Sequence, residues 1–252
     1  MKTLPKQVTA AVLIIGNEIL SGRTQDSNLA WLAIRLNDYG IQIREARVVP
    51  DVESDIVEAV NALRARHDYL FTTGGIGPTH DDITAACIAR AFEVSLVEHP
   101  EIAEVLRRRP APPDVMAVRM RMALVPEGST LVPNPHGPPG FCMENVYVLA
   151  GIPQVMQSMV NALEGRLRRG YTVRSRSVTA HVMESQIARQ LTDIQARHPQ
   201  VDLGSYPFYR KDVYGTTLVM RGGDESELEV MLAEVREAIV GLGAEPLDET
   251  AG

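Results

Sequence analysis

TTGGIGPTHDDIT, residues 72–84, lies between the apolar run DYLF at 68–71 and the helical pattern AACIARAF at 85–92, so a glycine-rich turn with two carboxylates joins a strand to a helix. Gly74, Gly75 and Gly77 lack a Cβ and let the backbone bring its N–H groups against a ligand. The helix start that follows adds unpaired N–H groups and a partial positive charge. Such a turn suits an anion, phosphate first, with Thr73, Gly74, Gly75, Gly77, Pro78 and Thr79 as its binding residues. Asp81 and Asp82 bring negative charge to the same place. Two unit charges about 4 Å apart at an effective dielectric near 20 interact by roughly 4 kcal/mol, and a cation between phosphate and carboxylate reverses the sign of that interaction. A divalent metal is therefore expected, Mg²⁺ first, with Mn²⁺ or Co²⁺ as alternatives. Neighbouring aspartates on a helix point roughly 100° apart, so one of the two faces the ligand, and Asp82 is the candidate. Thr79 and Asp82 also fit a capping box at the helix start, the plainer reading of the same residues.

Working outward, Val8 to Ile15 is a near-continuous apolar strand, and Leu29, Leu32, Ala33 and Leu36 form a helical stripe. Ile41 to Val49 reads as a strand, Ile56, Val57, Val60 and Leu63 as a helix, and Tyr69 to Thr73 as a strand. This βαβ alternation predicts an α/β fold with a mostly parallel sheet covered on both sides, and ligands beyond the carboxyl ends of its strands. Residues 107–140, with RRRPAPP and VPNPHGPPGF, read as loop and as a lid over the ligand. From about residue 170 the pattern changes: an alternating strand YTVRSRSV, a helix with Met183, Ile187, Leu191 and Ile194 on one face, strands near 201–207 and 212–220, and a helix carrying Leu228 to Ile239. The expectation is two parts, 1–168 and a smaller α+β subdomain at 169–252.

Three further segments carry candidate chemistry. In GNEILSGRTQDSN, residues 16–28, Gly16 ends the first strand, Asn17 and Glu18 lie just past it, and Asp26 and Asn28 open the next helix. Asp26 alone reads as an N-cap and Glu18 as a solvated loop acid. Taken together, Glu18, Asp26 and Asp82 on neighbouring loops are the expected catalytic group, with Asp26 and Asp82 as metal ligands. NPHGPPGF, residues 134–141, sets Asn134, Gly137 and Gly140 in a stiff loop able to approach a ligand closely, and His136 is either a phosphate contact or a loop histidine in solvent. LAGIPQVMQSM, residues 149–159, marks a strand-to-helix turn with Gly151 and Pro153 as phosphate contacts.

Composition narrows the classes. A net charge of −7 over 252 residues argues against a general nucleic-acid binder, which needs lysine and arginine against phosphates. The groups Arg107 to Arg109 and Arg166 to Arg176 read as solvated faces. No stretch approaches the roughly 20 apolar residues of a membrane span, and MKTLPKQVTA has no signal-peptide core, so a cytoplasmic protein without membrane partners is expected. Cys87 and Cys142 read as buried thiols, and the six histidines include no HxH or HxxxH pair.

In this order the four motifs resemble the molybdopterin-binding (MoaB/Mog-like) domain family, and specifically the branch of the competence-damage-inducible protein CinA. GNEILSGRTQDSN, TTGGIGPTHDDIT, NPHGPPGF and GIPQVM look like its four motifs, and MESQIARQL with VDLGSYP looks like the small KH-type subdomain that follows in that branch. The last motif departs from the pattern: the family has Pro-Gly and a Glu two residues after the second proline, where this chain has Ala150 and Val155. The resemblance implies a three-layer α/β fold, a homo-oligomer, and a small phosphorylated ligand, either an adenine dinucleotide or a pterin phosphate such as molybdopterin. It also implies hydrolysis of the pyrophosphate in ADP-ribose or FAD. CinA proteins often continue into an amidase domain; with the chain stopping at residue 252, that activity is expected to be absent. The expected function is a metal-dependent dinucleotide pyrophosphatase. The alternative is a binding module that holds molybdopterin or a nucleotide without turnover.

Overall fold

The computed structural model describes residues 7–210 and 213–248. It divides into two compact units, with the boundary between Gly170 and Tyr171.

In the first unit β1 (Val8–Ile15) leads through α1 (Asn17–Leu20) and α2 (Asn28–Asp38) to β2 (Ile41–Val49), then α3 (Glu53–Arg66), β3 (Tyr69–Thr73) and α4 (Thr84–Ala91). There follow β4 (Leu96–Glu98), α5 (Pro100–Arg107), α6 (Pro113–Arg119), a 3-10 turn at Met120–Ala123, and β5 (Leu124–Pro126). β6 (Thr130–Val132), β7 (Gly140–Met143), β8 (Val146–Leu149) and α7 (Pro153–Asn161) complete it. The main sheet has the order β2-β1-β3-β8-β7-β6. β2, β1, β3 and β8 run parallel, and β7 and β6 add antiparallel strands at one side.

The unbroken apolar run of β1 follows from burial on both faces. Ala11, Leu13 and Ile15 pack with Ile56, Val60 and Leu63 of α3 and Ile88 of α4. Ala10, Val12 and Ile14 pack on the other side with Leu32 and Leu36 of α2 and Met156 and Val160 of α7. Each fully buried leucine or isoleucine contributes about 1.5–3 kcal/mol relative to exposure. Cys87 and Cys142 are buried free thiols, and burial pushes both up to about 11. No helix among the described residues is long and apolar enough to cross a membrane.

Residues 107–140 are not the loop their composition suggests. Proline is well placed in a first helical turn, where its missing N–H has no partner to lose, and both α5 and α6 start on one. β5 then pairs antiparallel with β4, and β6 with β7.

The second unit runs β9 (Arg174–Ala180), α8 (Glu184–Arg197), β10 (Asp202–Arg210), β11 (Val213–Gly222) and α9 (Glu225–Gly241), with an antiparallel sheet in the order β10-β11-β9. Ile187 and Ile194 of α8 and Leu228, Met231, Val235 and Ile239 of α9 cover Val178, Leu218 and Met220. At the end of α8, His198 is 5% exposed, its Nδ1 2.7 Å from Glu227 and its Nε2 3.2 Å from Glu234. Burial opposes protonation there, and the two carboxylates outweigh it, holding the imidazole above its ordinary value.

Candidate functional site

Three parallel strands end side by side at Ile15, Thr73 and Leu149, and a glycine follows each directly or one residue on. The close approach is made by main chain. Gly74 has φ +102°, and a Cβ there would lie 2.2 Å from the Ile15 carbonyl oxygen; Gly75 has φ +66°, and its Cβ would lie 2.2 Å from Thr84 Oγ1. A Cβ on Gly151 would stand 3.3 Å from Gly74 Cα. Only glycine meets both demands at 74 and 75, a positive φ and no room for a side chain. Thr84, the first residue of α4, fixes the turn from below: its hydroxyl donates to the Gly74 carbonyl at 3.0 Å and its N–H to the Gly75 carbonyl at 3.0 Å.

Asp82 closes the rest of the turn. Its Oδ1 accepts from the Gly77 N–H at 2.7 Å, and its Oδ2 from the Thr79 N–H at 2.7 Å and the Thr79 hydroxyl at 2.5 Å. The reach-back from Asp82 to Thr79 is as the spacing suggests, but it is not a helix cap. α4 begins only at Thr84, and the carboxylate organises the turn before it. Residues 80 and 81 bulge into solvent, with both side chains more than half exposed.

Beyond these turns lies a cavity of about 660 Å³. Glu18, Gly74, Gly75, Gly77, Pro78, Asp82, Asn134, Gly137, Gly140 and Gly151 all line it, so all four motifs meet in one place. Asn134 shapes its own loop, donating to the Pro138 carbonyl at 3.0 Å and accepting from the His136 N–H at 3.0 Å. His136 also lines the cavity from an exposed position. Gly16 leaves room for Glu18, whose carboxylate oxygens lie 2.4 and 2.5 Å from where a Cβ on Gly16 would be.

The remaining predicted residues stand outside the lining. Asp26, one residue before the N-cap Ser27, accepts through Oδ1 from the Leu29 N–H in the first turn of α2 at 2.9 Å. The structure therefore does not bring Glu18, Asp26 and Asp82 together, because the first turn of α2 takes the Asp26 carboxylate. Among the described residues no group of three or more His, Cys, Asp and Glu side chains is placed to hold a metal ion. The Asn17 N–H donates to Asp51 at 2.9 Å, Thr73 is buried on β3, Thr79 serves Asp82, and Pro153 starts α7. Asn28 is buried, and its amide donates to the Gly151 carbonyl at 2.8 Å.

Two cations at the cavity escaped the sequence reading. Arg121 donates to the Pro78 carbonyl at 3.4 Å and lines the cavity with Arg109, and neither forms an ion pair among the described residues. Arg109 had been read as part of a solvated face. The Arg–Met alternation in RMRMALVP was the available signal for Arg121, and it does not separate a cavity arginine from a surface one. Ala150 and Val155, the positions that depart from the family pattern, also line the cavity.

Residues 11–169 match the family described as "probable molybdopterin binding domain", and residues 172–244 match "FAD synthase, middle domain". A probable FAD synthase from Caenorhabditis elegans is 28% identical over 268 residues, covering 94% of this chain and 51% of the relative. A CinA-like protein from Myxococcus xanthus is 30% identical over 211 residues, covering 77% of this chain and 50% of the relative. The chain thus spans about half the length of these two proteins. The crystal structure of CinA from Thermoplasma acidophilum, whose function is described as unknown, superposes with a TM-score of 0.59 at 29% identity, covering 64% of this chain and 99% of that one. The first match runs through all four glycine-bearing motifs and over more than half of the sequence, and the parallel sheet carries those motifs to a common edge. On these grounds the chain belongs to the molybdopterin-binding (MoaB/Mog-like) domain family, in its CinA-like branch, with an FAD synthase middle domain after it.

Proposed function

We propose that the first unit hydrolyses the pyrophosphate of an adenine dinucleotide, ADP-ribose, FAD or a similar molecule, with a divalent metal. The observation that carries this is the meeting, in one cavity, of phosphate-suited glycine turns, two carboxylates and two guanidiniums that form no ion pair among the described residues. The N–H groups of Gly74 and Gly77 are taken by the Leu149 carbonyl and Asp82, so the main-chain N–H groups offered to phosphate oxygens are those of Gly75, Ile76 and Gly151, and Arg109 and Arg121 balance the phosphate charge. Glu18 accepts no hydrogen bond through its carboxylate among the described residues, and Asp82 Oδ1, which accepts one bond within the turn, has acceptor capacity left, whereas Oδ2 already accepts two. The two carboxylates therefore fit Mg²⁺, which takes one or two carboxylates and completes its shell with substrate phosphates and water. When bound, the cation neutralises phosphate charge and lowers the pKa of water. In the chemical step a water oxygen bonds to one phosphorus, the bridging P–O bond breaks with its electron pair leaving on the second phosphate, and Glu18 takes the proton from water. Asp82 keeps the turn shaped for the phosphates, and Asp26 and Asn28 act at one remove by fixing α2 and the Gly151 turn.

One observation favours a binding module without turnover: the cavity wall carries Val155 where the family has an acid, which leaves two carboxylates rather than three. Purified protein incubated with ADP-ribose, FAD and pterin phosphates in the presence of Mg²⁺, Mn²⁺ or Co²⁺ separates the readings. The hydrolase releases AMP from a dinucleotide and stops on chelation with EDTA. Binding without AMP release under any of the three metals establishes the module instead.

A further inference from the structure

Charge is distributed unevenly along the groove that begins at the glycine turns. Pro78, Arg109, Asn134 and His136 line both that cavity and a neighbouring one of about 1090 Å³, which α5 and α6 wall on the far side. In the near cavity Glu18 and Asp82 stand against Arg109 and Arg121, so carboxylates and guanidiniums balance. In the far cavity Arg108, Arg109 and Arg119 stand against Asp114 alone. An excess of positive charge in a chain of net charge −7 is a local arrangement and does not follow from composition.

The three arginines differ in what already holds them. Arg108 pairs with Glu104 at 2.8 Å, one turn back along the chain. Arg109 and Arg119 form no ion pair among the described residues, and neither does Asp114 in the first turn of α6. Arg119 spends one N–H on the Arg109 carbonyl at 2.6 Å, which ties α6 to the end of α5 and leaves its other donors unspent. A guest for two unspent guanidiniums is an anion, and their number selects its kind. One guanidinium satisfies a carboxylate bidentately, whereas a phosphomonoester carries about −1.5 to −2 charges at pH 7 and three strong acceptor oxygens. The pyrophosphate proposed above belongs to the glycine turns, and Arg119 lines the far cavity only, so the far cavity serves a further phosphate. On a dinucleotide the position open to a third phosphate is a ribose hydroxyl.

We infer that the far cavity binds a phosphomonoester on a ribose of the dinucleotide, and that Arg119, with Arg109 at the crossing between the cavities, sets a preference for the phosphorylated ligand. The inference rests on the dinucleotide reading proposed above and narrows it to ligands with three phosphates. It is tested by binding rather than by turnover, in the full chain with EDTA present at low salt. Calorimetric titrations use ADP-ribose and its derivatives phosphorylated on the 2′ or the 3′ hydroxyl of the adenosine. The wild type binds one phosphorylated probe about tenfold or more tightly than ADP-ribose, and added salt narrows the ratio. Arg119→Gln keeps a donor for the Arg109 carbonyl and loses the charge, and the ratio collapses towards one. Asp114→Asn removes the opposing charge and widens the ratio, an effect that a purely structural role for α6 does not produce. A wild type that binds all three probes alike overturns the subsite, as does an unchanged ratio in an Arg119→Gln protein that melts like the wild type. Should Arg119→Gln melt early, Asp114→Asn and the salt series decide, and a ratio insensitive to both overturns the subsite. Hydrolysis and the subsite fail separately. A preference that depends on Arg119 without AMP release under any metal refutes hydrolysis and leaves the subsite, and AMP release with no preference among the probes refutes the subsite and leaves hydrolysis. Binding of none of the probes overturns the dinucleotide reading and the subsite with it.

Discussion

The side-chain amide of Asn28 donates to the carbonyl of Gly151 at 2.8 Å, joining the start of α2 to the turn after β8 across 123 residues of sequence. Asn28 is 5% exposed, so this bond is shielded from water and sits directly behind the cavity. Its loss in Asn28→Ala should cost about 1 kcal/mol of stability, and Asn28→Asp should cost more, because it sets a buried carboxylate against the carbonyl. Both variants should bind dinucleotides more weakly. Urea unfolding followed by calorimetric titration checks the order, and an Asn28→Asp protein as stable as Asn28→Ala would contradict it.

Glu18 and Asp82 line the same cavity and should respond differently to the same change. Glu18 is exposed, so Glu18→Gln should leave stability within about 0.5 kcal/mol of the wild type. Its turnover should fall by about 100-fold or more, corresponding to roughly 2.7 kcal/mol at the transition state. Asp82→Asn replaces one acceptor oxygen by an NH₂ donor and so loses at least one charge-assisted bond to Gly77 or Thr79, at about 1.5–3 kcal/mol. Turnover and stability should fall together, and excess Mg²⁺ should not restore either. Parallel denaturation curves and AMP-release rates decide the point, and full rescue of Asp82→Asn by metal would make it a ligand first and a turn residue second.

Glycine substitutions should separate conformational strain from collision. Gly22 and Gly74 both have positive φ, +71° and +102°, but a Cβ on Gly22 meets nothing within 4 Å whereas one on Gly74 meets a backbone oxygen at 2.2 Å. Gly22→Ala should cost about 1–2 kcal/mol, the ordinary left-handed penalty. Gly74→Ala should cost clearly more and abolish ligand binding, because the carbonyl belongs to β1, an inner strand paired on both sides, by β2 and β3. Equal costs in urea titrations would show that the strand end gives way.

The pH response of the second unit should come from His198. Its pKa is raised in the folded protein, since the contacts with Glu227 and Glu234 outweigh the burial that opposes its charge. The stabilisation is then complete below the unfolded value of 6.5 and is lost as pH rises through the higher folded value. The melting temperature of this unit should decline from about pH 6 upward beyond the ordinary imidazole range. His198→Gln should flatten that decline. A variant with the same slope as the wild type would assign the effect to another group.

The strands and helices around TTGGIGPTHDDIT were readable because their residues are buried on predictable faces: β1, β2 and β3 occupy the spans that their apolar runs mark out. α5 and α6 were hidden by composition. Proline reads as a break unless its place in the first turn is known, and seven-residue α6 is too short for a periodic stripe to stand out. Arg121 was illegible for another reason, since what makes it a site residue is the position of the Pro78 carbonyl, 43 residues away in sequence. Asp26 shows the opposite failure. Its residue type suits a metal and suits a cap equally, and only the position of the Leu29 N–H decides.

The floor of the cavity is peptide rather than side chain, because Ile15, Gly74 and Gly151 approach one another through main-chain atoms. A floor of that kind has no side chains to vary, so selection can act on it only by accepting or rejecting glycine. The walls are another matter: Val155, Ala86 and Arg121 are ordinary side chains on separate elements, each free to change without shifting the strand ends. A lineage built on this arrangement can change the guest it prefers by repainting the walls while the seat for the phosphates stays where it is.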